Sequence, residues 1–144
     1  RKIMYEEYEM AKEKLFKSLS SKCQTILCVG EEKRMRKPFS YVKKELNFYL
    51  RSIESSSIKY LSIAYEPNWA IGTGDVQDIS KIEQTVNLIK DYVHKKYNFD
   101  VEVYYGGSIN GENIKAIYDV CDGVVLGKIS TDYKSLNNLL SNIK

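Results

Sequence analysis

Apolar positions recur along the chain in two periods that take turns. Met4, Tyr8, Ala11, Leu15 and Leu19 step by three and four, which puts them on one stripe of a helix. Gln24 to Val29 then reads as a strand closed by Gly30-Glu31. Phe39, Val42, Leu46, Leu50 and Ile53 restore the helical period, and Lys59 to Tyr65, rich in apolar and β-branched residues, fits a strand covered on both faces. A third stripe, Ile79, Ile82, Val86, Ile89 and Val93, precedes a strand at Val101 to Tyr105. Ile114, Ile117 and Tyr118 mark a short helix, Gly123 to Leu126 a last strand, and Leu136, Leu139, Leu140 and Ile143 a closing helix.

The order is a helix followed by four strand–helix units, which implies an α/β fold with a parallel sheet. Glycines stand just after the strands (Gly30, Gly72 and Gly74, Gly106 and Gly107, Gly127), so the loops suited to ligands gather at the carboxyl ends of the strands. The pattern permits an open sheet or part of a (β/α)8 barrel.

Length and composition narrow the class without naming a chemistry. The 144 residues predict one domain, 1–144, or one part of a larger one. Apolar content of 43% with 28% charged residues suits a water-soluble globular chain. The net charge of +3 is dispersed, which argues against a nucleic-acid surface, and the basic run Lys33-Arg34-Met35-Arg36-Lys37 reads as a solvated loop. No apolar run is long enough to span a membrane, and no signal-peptide pattern precedes the first helix. Cys23, Cys28 and Cys121 are odd in number and lack CxxC spacing, so they are expected to be thiols in a reducing, cytoplasmic setting.

One stretch carries candidate chemistry: Leu61-Ser-Ile-Ala-Tyr-Glu-Pro-Asn-Trp-Ala-Ile-Gly-Thr-Gly74. A buried strand delivers Glu66 to its end, and Pro67 restricts that residue to an extended conformation. Trp69-Ala70-Ile71, an apolar segment bounded by Pro67 on one side and Gly72 and Gly74 on the other, suggests a lid that packs and moves as a unit. A lone Glu at a strand end is usually a surface charge. Here the whole run Glu-Pro-x-Trp-Ala-Ile-Gly-Thr-Gly closely resembles the catalytic-base and lid segment of the triosephosphate isomerase family, itself a standing example of lid closure.

Three further stretches carry the resemblance. Tyr104-Tyr-Gly-Gly-Ser108 is similar to the family's phosphate loop after the seventh strand, where paired glycines let backbone N–H groups approach an oxyanion. Asp122-Gly-Val-Val-Leu-Gly127 resembles the eighth strand and its loop, and Cys28-Val-Gly-Glu31 the end of the fifth. Glu31 is expected to be a structural hydrogen-bonding acid. The resemblance covers nearly the whole chain and implies the C-terminal half of a (β/α)8 barrel.

Carried over residue by residue, it implies that Glu66 is the base that takes a proton from the carbon next to a substrate carbonyl. Pro67, Asn68, Trp69, Ala70, Ile71, Gly72, Thr73 and Gly74 would form the lid. N–H groups of Gly72, Ser108, Gly127 and Lys128 would cradle the substrate phosphate. Tyr105 and Ser108 would hold the lid closed, and Ile71 and Val125 would clamp the carboxylate in an apolar pocket that raises its basicity. The implied substrate is a small phosphorylated sugar, with neither metal nor cofactor, and the implied intact enzyme is a homodimer.

Two positions depart from the family: Asn68, where an aliphatic residue is usual in the first hinge, and Lys128, where the last phosphate loop has its second glycine. A basic residue in that loop also resembles relatives acting on four-carbon ketose phosphates. The family's Asn and Lys after the first strand, and its His and Glu after the fourth, align ahead of Arg1. His94, late in the helix after the lid, should lie at the far end from Glu66 and cannot replace that His. The chain is thus expected to be inactive alone. As half of a barrel it would leave two strand edges unpaired and strip inward-facing Ile26, Cys28, Leu61, Ile63, Val101, Val103 and Val124 of their partners, so it is expected to self-associate, edge to edge or face to face. Three functions stand open: triose-phosphate isomerisation by the intact protein, isomerisation of a four-carbon ketose phosphate, or non-catalytic phosphate binding by a half-barrel.

Overall fold

A computed structural model describes residues 7–143; Met4 of the first predicted stripe lies outside them. Four strands, β1 (Thr25–Val29), β2 (Leu61–Tyr65), β3 (Val103–Gly106) and β4 (Gly123–Val125), form one parallel sheet in the order β1-β2-β3-β4. The helices are α1 (Tyr8–Ser20), α2 (Phe39–Leu50), α3 (Ile79–Tyr97), α4 (Ile114–Tyr118) and α5 (Tyr133–Ser141). Every expected element is present. With neighbours in sequence also neighbours in the sheet, the architecture is α/β, as half of a (β/α)8 barrel requires.

The ends shift where local chemistry overrides apolar pattern. Lys59 and Tyr60 belong to a 3-10 turn, Ser55–Tyr60, that opens on three serines, so β2 starts at Leu61. Ile53 and Ile143 lie beyond the ends of α2 and α5. Of the closing stripe, Leu139 is buried and Leu140 is exposed.

Side-chain parity puts the core on one face of the sheet. The register aligns Leu27 with Ile63 and Val103, and Val29 with Tyr65, Tyr105 and Val124. Aligned residues of parallel strands point the same way, and all but Val124 are buried in one cluster with Leu46 of α2 and Ile82, Val86 and Ile89 of α3. The opposite face carries Ile26, Cys28, Ser62, Ala64, Tyr104 and Gly123, with Ile26 55% exposed. Ile26 and Cys28 therefore face the barrel interior as expected. Leu61, Ile63, Val103 and Val124 do not; they lie on the helix side, and Val101 is buried just before β3. The reason is the period of two: Glu66 continues the parity of Ser62 and Ala64, so the face that carries the acid carries the even-numbered residues of β2.

Among the described residues no helix is long and apolar enough to cross a membrane, and no disulfide forms.

Candidate functional site

Glu66 emerges from β2 at a crowded crossing. Its N–H donates to the Val29 carbonyl at 2.8 Å, extending the ladder by one residue. A Cβ on Gly30 would stand 2.0 Å from the Glu66 carbonyl oxygen, so only glycine lets the chain after β1 pass here. Gly30 N–H is held in turn by the buried Glu45 carboxylate of α2, at 2.8 Å.

The Glu66 side chain lies over the end of β3. A Cβ on Gly106 would fall 2.6 Å from its Oε1 and 2.7 Å from its Cγ. The carboxylate is half-buried, and that burial pushes its pKa above the ordinary carboxylate value; a hydrogen bond from the Cys28 thiol opposes the shift. Cys28 shares the parity of Glu66 on the adjacent strand, which explains their meeting. A stronger base held partly out of water is the result.

Around the carboxylate is a cavity of about 420 Å3 at the carboxyl ends of the strands. Of the expected site residues, Glu66, Gly72, Ser108, Gly127 and Lys128 line it, together with Ile71, Gly74 and Val125. Gly106, Gly107, Ile109, Asn110 and Ile129 complete the wall. Lys128 opens a 3-10 turn, Lys128–Thr131, and is exposed at the cavity mouth.

Pro67, Asn68, Trp69, Ala70, Thr73 and Tyr105 do not line the cavity. Ala70 is fully buried at the end of a short 3-10 turn, Asn68–Ala70, whereas Ile71 is 49% exposed. Gly72 and Gly74 take φ of 69° and 86°, a left-handed backbone that side-chain-bearing residues resist. The hydroxyl of Ser108 donates to the Ala70 carbonyl at 2.7 Å and accepts the Gly74 N–H at 2.9 Å. Tyr105, fully buried, accepts the Gln77 N–H at 3.4 Å, and burial pushes its phenol up to about 12. Gly107 makes room for that hydroxyl, because a Cβ there would stand 2.5 Å from it.

Glu31 is 1% exposed. It accepts from the Tyr65 hydroxyl at 3.2 Å, the Trp69 indole Nε1 at 3.0 Å and the Gln77 amide at 3.4 Å. Every partner is a donor and none is a reacting group, so Glu31 is the structural acid its sequence position suggests. Burial and the adjacent Glu31 carboxylate both raise the Tyr65 phenol far above its usual range, keeping it a donor. Gln77 carries no motif signal, and sequence reasoning missed it, together with Cys28 as a partner of the base. The second was findable: β1 and β2 parity places Cys28 beside Glu66.

His94 lies in the last turn of α3, on the side where β3 begins, with Nδ1 2.8 Å from Asp100 Oδ1. It takes no part in the cavity.

Comparison with known proteins accounts for this arrangement. Curated relatives include the triosephosphate isomerases of Mycoplasma genitalium (37% identical, covering 94% of this chain and 57% of the relative) and Mycoplasma pneumoniae (35%, 92% and 56%). That of Amoebophilus asiaticus is 28% identical over 99% of this chain and 60% of its own length. The chain thus spans a little over half the length of the curated relatives it matches. The sequence profile of the family described as triosephosphate isomerase matches residues 1–143, and the chain belongs to that family.

Proposed function

We propose that this chain supplies the base, the lid and the phosphate cradle of an aldose–ketose isomerase that interconverts dihydroxyacetone phosphate and glyceraldehyde 3-phosphate. The observation that carries the reading is the placement of Glu66: a half-buried carboxylate with a raised pKa, in one cavity with Gly72, Ser108, Gly127 and Lys128. Glu66 takes a proton from the carbon beside the carbonyl, the electron pair moves into an enediol, and the same proton returns to the neighbouring carbon. The substrate is a weak carbon acid, so the base must be strong and the site sealed against loss of phosphate from the enediol. Residues 67–74 serve as the lid, held at Ser108 and Tyr105.

The group that polarises the carbonyl is supplied from outside these 144 residues, since the single histidine is turned away from the cavity. The intact protein is then the catalyst, working in the cytoplasm as a homodimer without cofactor, and this chain alone lacks turnover. Losing one preorganised electrostatic group costs about 10²–10³ in rate, and here the family's His, Lys and supporting Glu would go together, so less than a hundredth should survive.

The test compares this chain with a protein extended at its amino end to the length of the relatives, in a coupled assay on dihydroxyacetone phosphate. Turnover by the longer protein and none by the chain is expected. Activity of the chain at a hundredth of the longer protein's rate would overturn the division of labour. Phosphate binding without turnover by both would favour a non-catalytic half-barrel.

Lys128 supports a second reading within the same chemistry. A cation at the cavity mouth, where the family has glycine, suits a substrate with a longer distal end, such as a four-carbon ketose phosphate.

A further inference from the structure

The loop between β1 and α2 grips the lid from outside, at both of its ends. Near the first end, Asn68 N–H donates to the Glu31 carbonyl at 3.0 Å, and the Asn68 amide reaches Glu32 Oε1 at 3.4 Å. The Arg34 guanidinium lies over the Trp69 ring, 4.1 Å from its centroid. At the second end, the same Arg34 approaches Asp75, just past Gly74, with Nη2 3.7 Å from Oδ2. One planar cation therefore spans the lid, stacked on a ring before the two left-handed glycines and paired with a carboxylate after them.

We propose that Arg34 is a positioning residue that latches the lid in its seated conformation, acting through Trp69 and Asp75. The basic run that holds Arg34 is thus not merely a solvated loop. The physical case rests on what each contact restrains. Ser108 holds the lid from the cavity side, and Tyr105 holds Gln77 just past it. Without an outer contact the turn Asn68–Ala70 could roll about Gly72 and Gly74, whose backbones have no Cβ and no neighbour within 4 Å of where one would stand. Stacking suits Arg better than Lys, because a guanidinium is flat and weakly hydrated. The pair with Asp75 is exposed, 51% and 68% at the side chains, so it is weak and screened by salt. Arg34 should matter more than Asp75, and only the Asp75 share should vanish in salt.

This deepens the reading of residues 67–74 as a lid, and it is tested on the lid itself rather than on turnover. Amide hydrogen exchange of the full chain reports opening at Asn68, Gly74 and Gln77, with the amides of Ile63 and Val86 as core controls. Arg34→Gln is expected to speed lid exchange about fivefold, Asp75→Asn about twofold, and the double variant no more than Arg34→Gln, while the core amides keep their rates. Arg34→Lys should fall between. At 0.5 M NaCl the parent chain should exchange like Asp75→Asn. Trp69, the chain's single tryptophan, gives a second readout: Arg34→Gln should make its fluorescence more quenchable by neutral acrylamide. Unchanged lid exchange and unchanged quenching in Arg34→Gln would overturn the proposal, as would equal acceleration at the core amides. If lid exchange rises as expected while the extended protein shows no isomerase activity, the latch stands and the catalytic reading falls.

Discussion

Replacing Gly106 by alanine tests the position of the base more sharply than removing the base. The new Cβ would stand 2.6 Å from Glu66 Oε1, 2.7 Å from Cγ and 3.0 Å from Cδ. Carbon and its neighbours rest at about 3.5 Å or more. The backbone at Gly106 is not in the left-handed region, so alanine introduces no strain of its own there. The conflict is then with the side chain alone, and a side chain can rotate. Relief requires the carboxylate to retreat by roughly 1 Å, the difference between the two distances. A misplacement of that size costs about 100-fold in rate for a group that must meet a carbon-bound proton.

In the protein extended to the length of its relatives, Gly106→Ala should therefore lower kcat about 100-fold. KM should stay within a few-fold, because the phosphate contacts proposed at Gly72, Ser108, Gly127 and Lys128 are untouched. The displaced carboxylate would also leave its half-buried position, so the acid limb of the pH profile should move down towards the ordinary carboxylate range. Steady-state kinetics across pH measures all three. A variant with kcat within threefold of the parent and an unmoved acid limb would refute the reasoning. The carboxylate seen over Gly106 would then not be the one that works.

Further substitutions probe the rest of the arrangement. Glu66→Asp, with an oxygen drawn back by about 1 Å, should cut kcat by about 100-fold or more at nearly constant KM; a steep rise in KM with kcat preserved would make Glu66 a binding residue. Glu66→Gln should stabilise the chain at neutral pH. The folded pKa of Glu66 is raised, so the folded state binds its proton more tightly and loses stability as pH climbs from the unfolded value through the folded one. The gain from Gln should fade as pH falls below the ordinary carboxylate range, and melts at several pH values would show it. Gly30→Ala drives a Cβ to 2.0 Å from a backbone carbonyl that cannot rotate away, and should lower the melting temperature by on the order of 10 °C. Lys128→Gly should improve kcat/KM for triose phosphate relative to a four-carbon ketose phosphate, and an unchanged ratio would remove Lys128 from substrate selection.

The period-two pattern and the steps of three and four made every strand and α-helix legible, because each carries enough apolar positions to mark itself, whereas the 3-10 turns left no such mark. Leu15, Leu46, Ile82 and Ile89 are read from spacing and are buried. Which face of the sheet a strand residue takes was less legible, and the error at Leu61, Ile63 and Val103 shows why. A strand covered by helices on one side and by a barrel interior on the other looks apolar throughout, so hydrophobicity cannot assign its faces. Chemistry can. Glu66 must face the cavity, and counting back by twos from it puts Ala64 and Ser62 on the interior, and hence Ile63 and Leu61 against the helices. The same count places Cys28 beside the base and Gly106 beneath it, so the acid that marks the site also fixes the register of its surroundings. That corrected parity changes the physical estimate for the chain in isolation. The interior face shows Ile26, Cys28, Ser62 and Tyr104 rather than a wall of aliphatic residues, so face-to-face burial offers little. Among the described residues no strand lies beyond β1 or β4 in the sheet, so these two edges are where a second strand would add. Self-association of this chain should accordingly run edge to edge. Light scattering over a dilution series should show mass falling with concentration, and a proline in β1 at Ile26 should weaken the association more than Ile26→Ser. If the two substitutions act equally, the apolar face and not the edge is what holds two copies together.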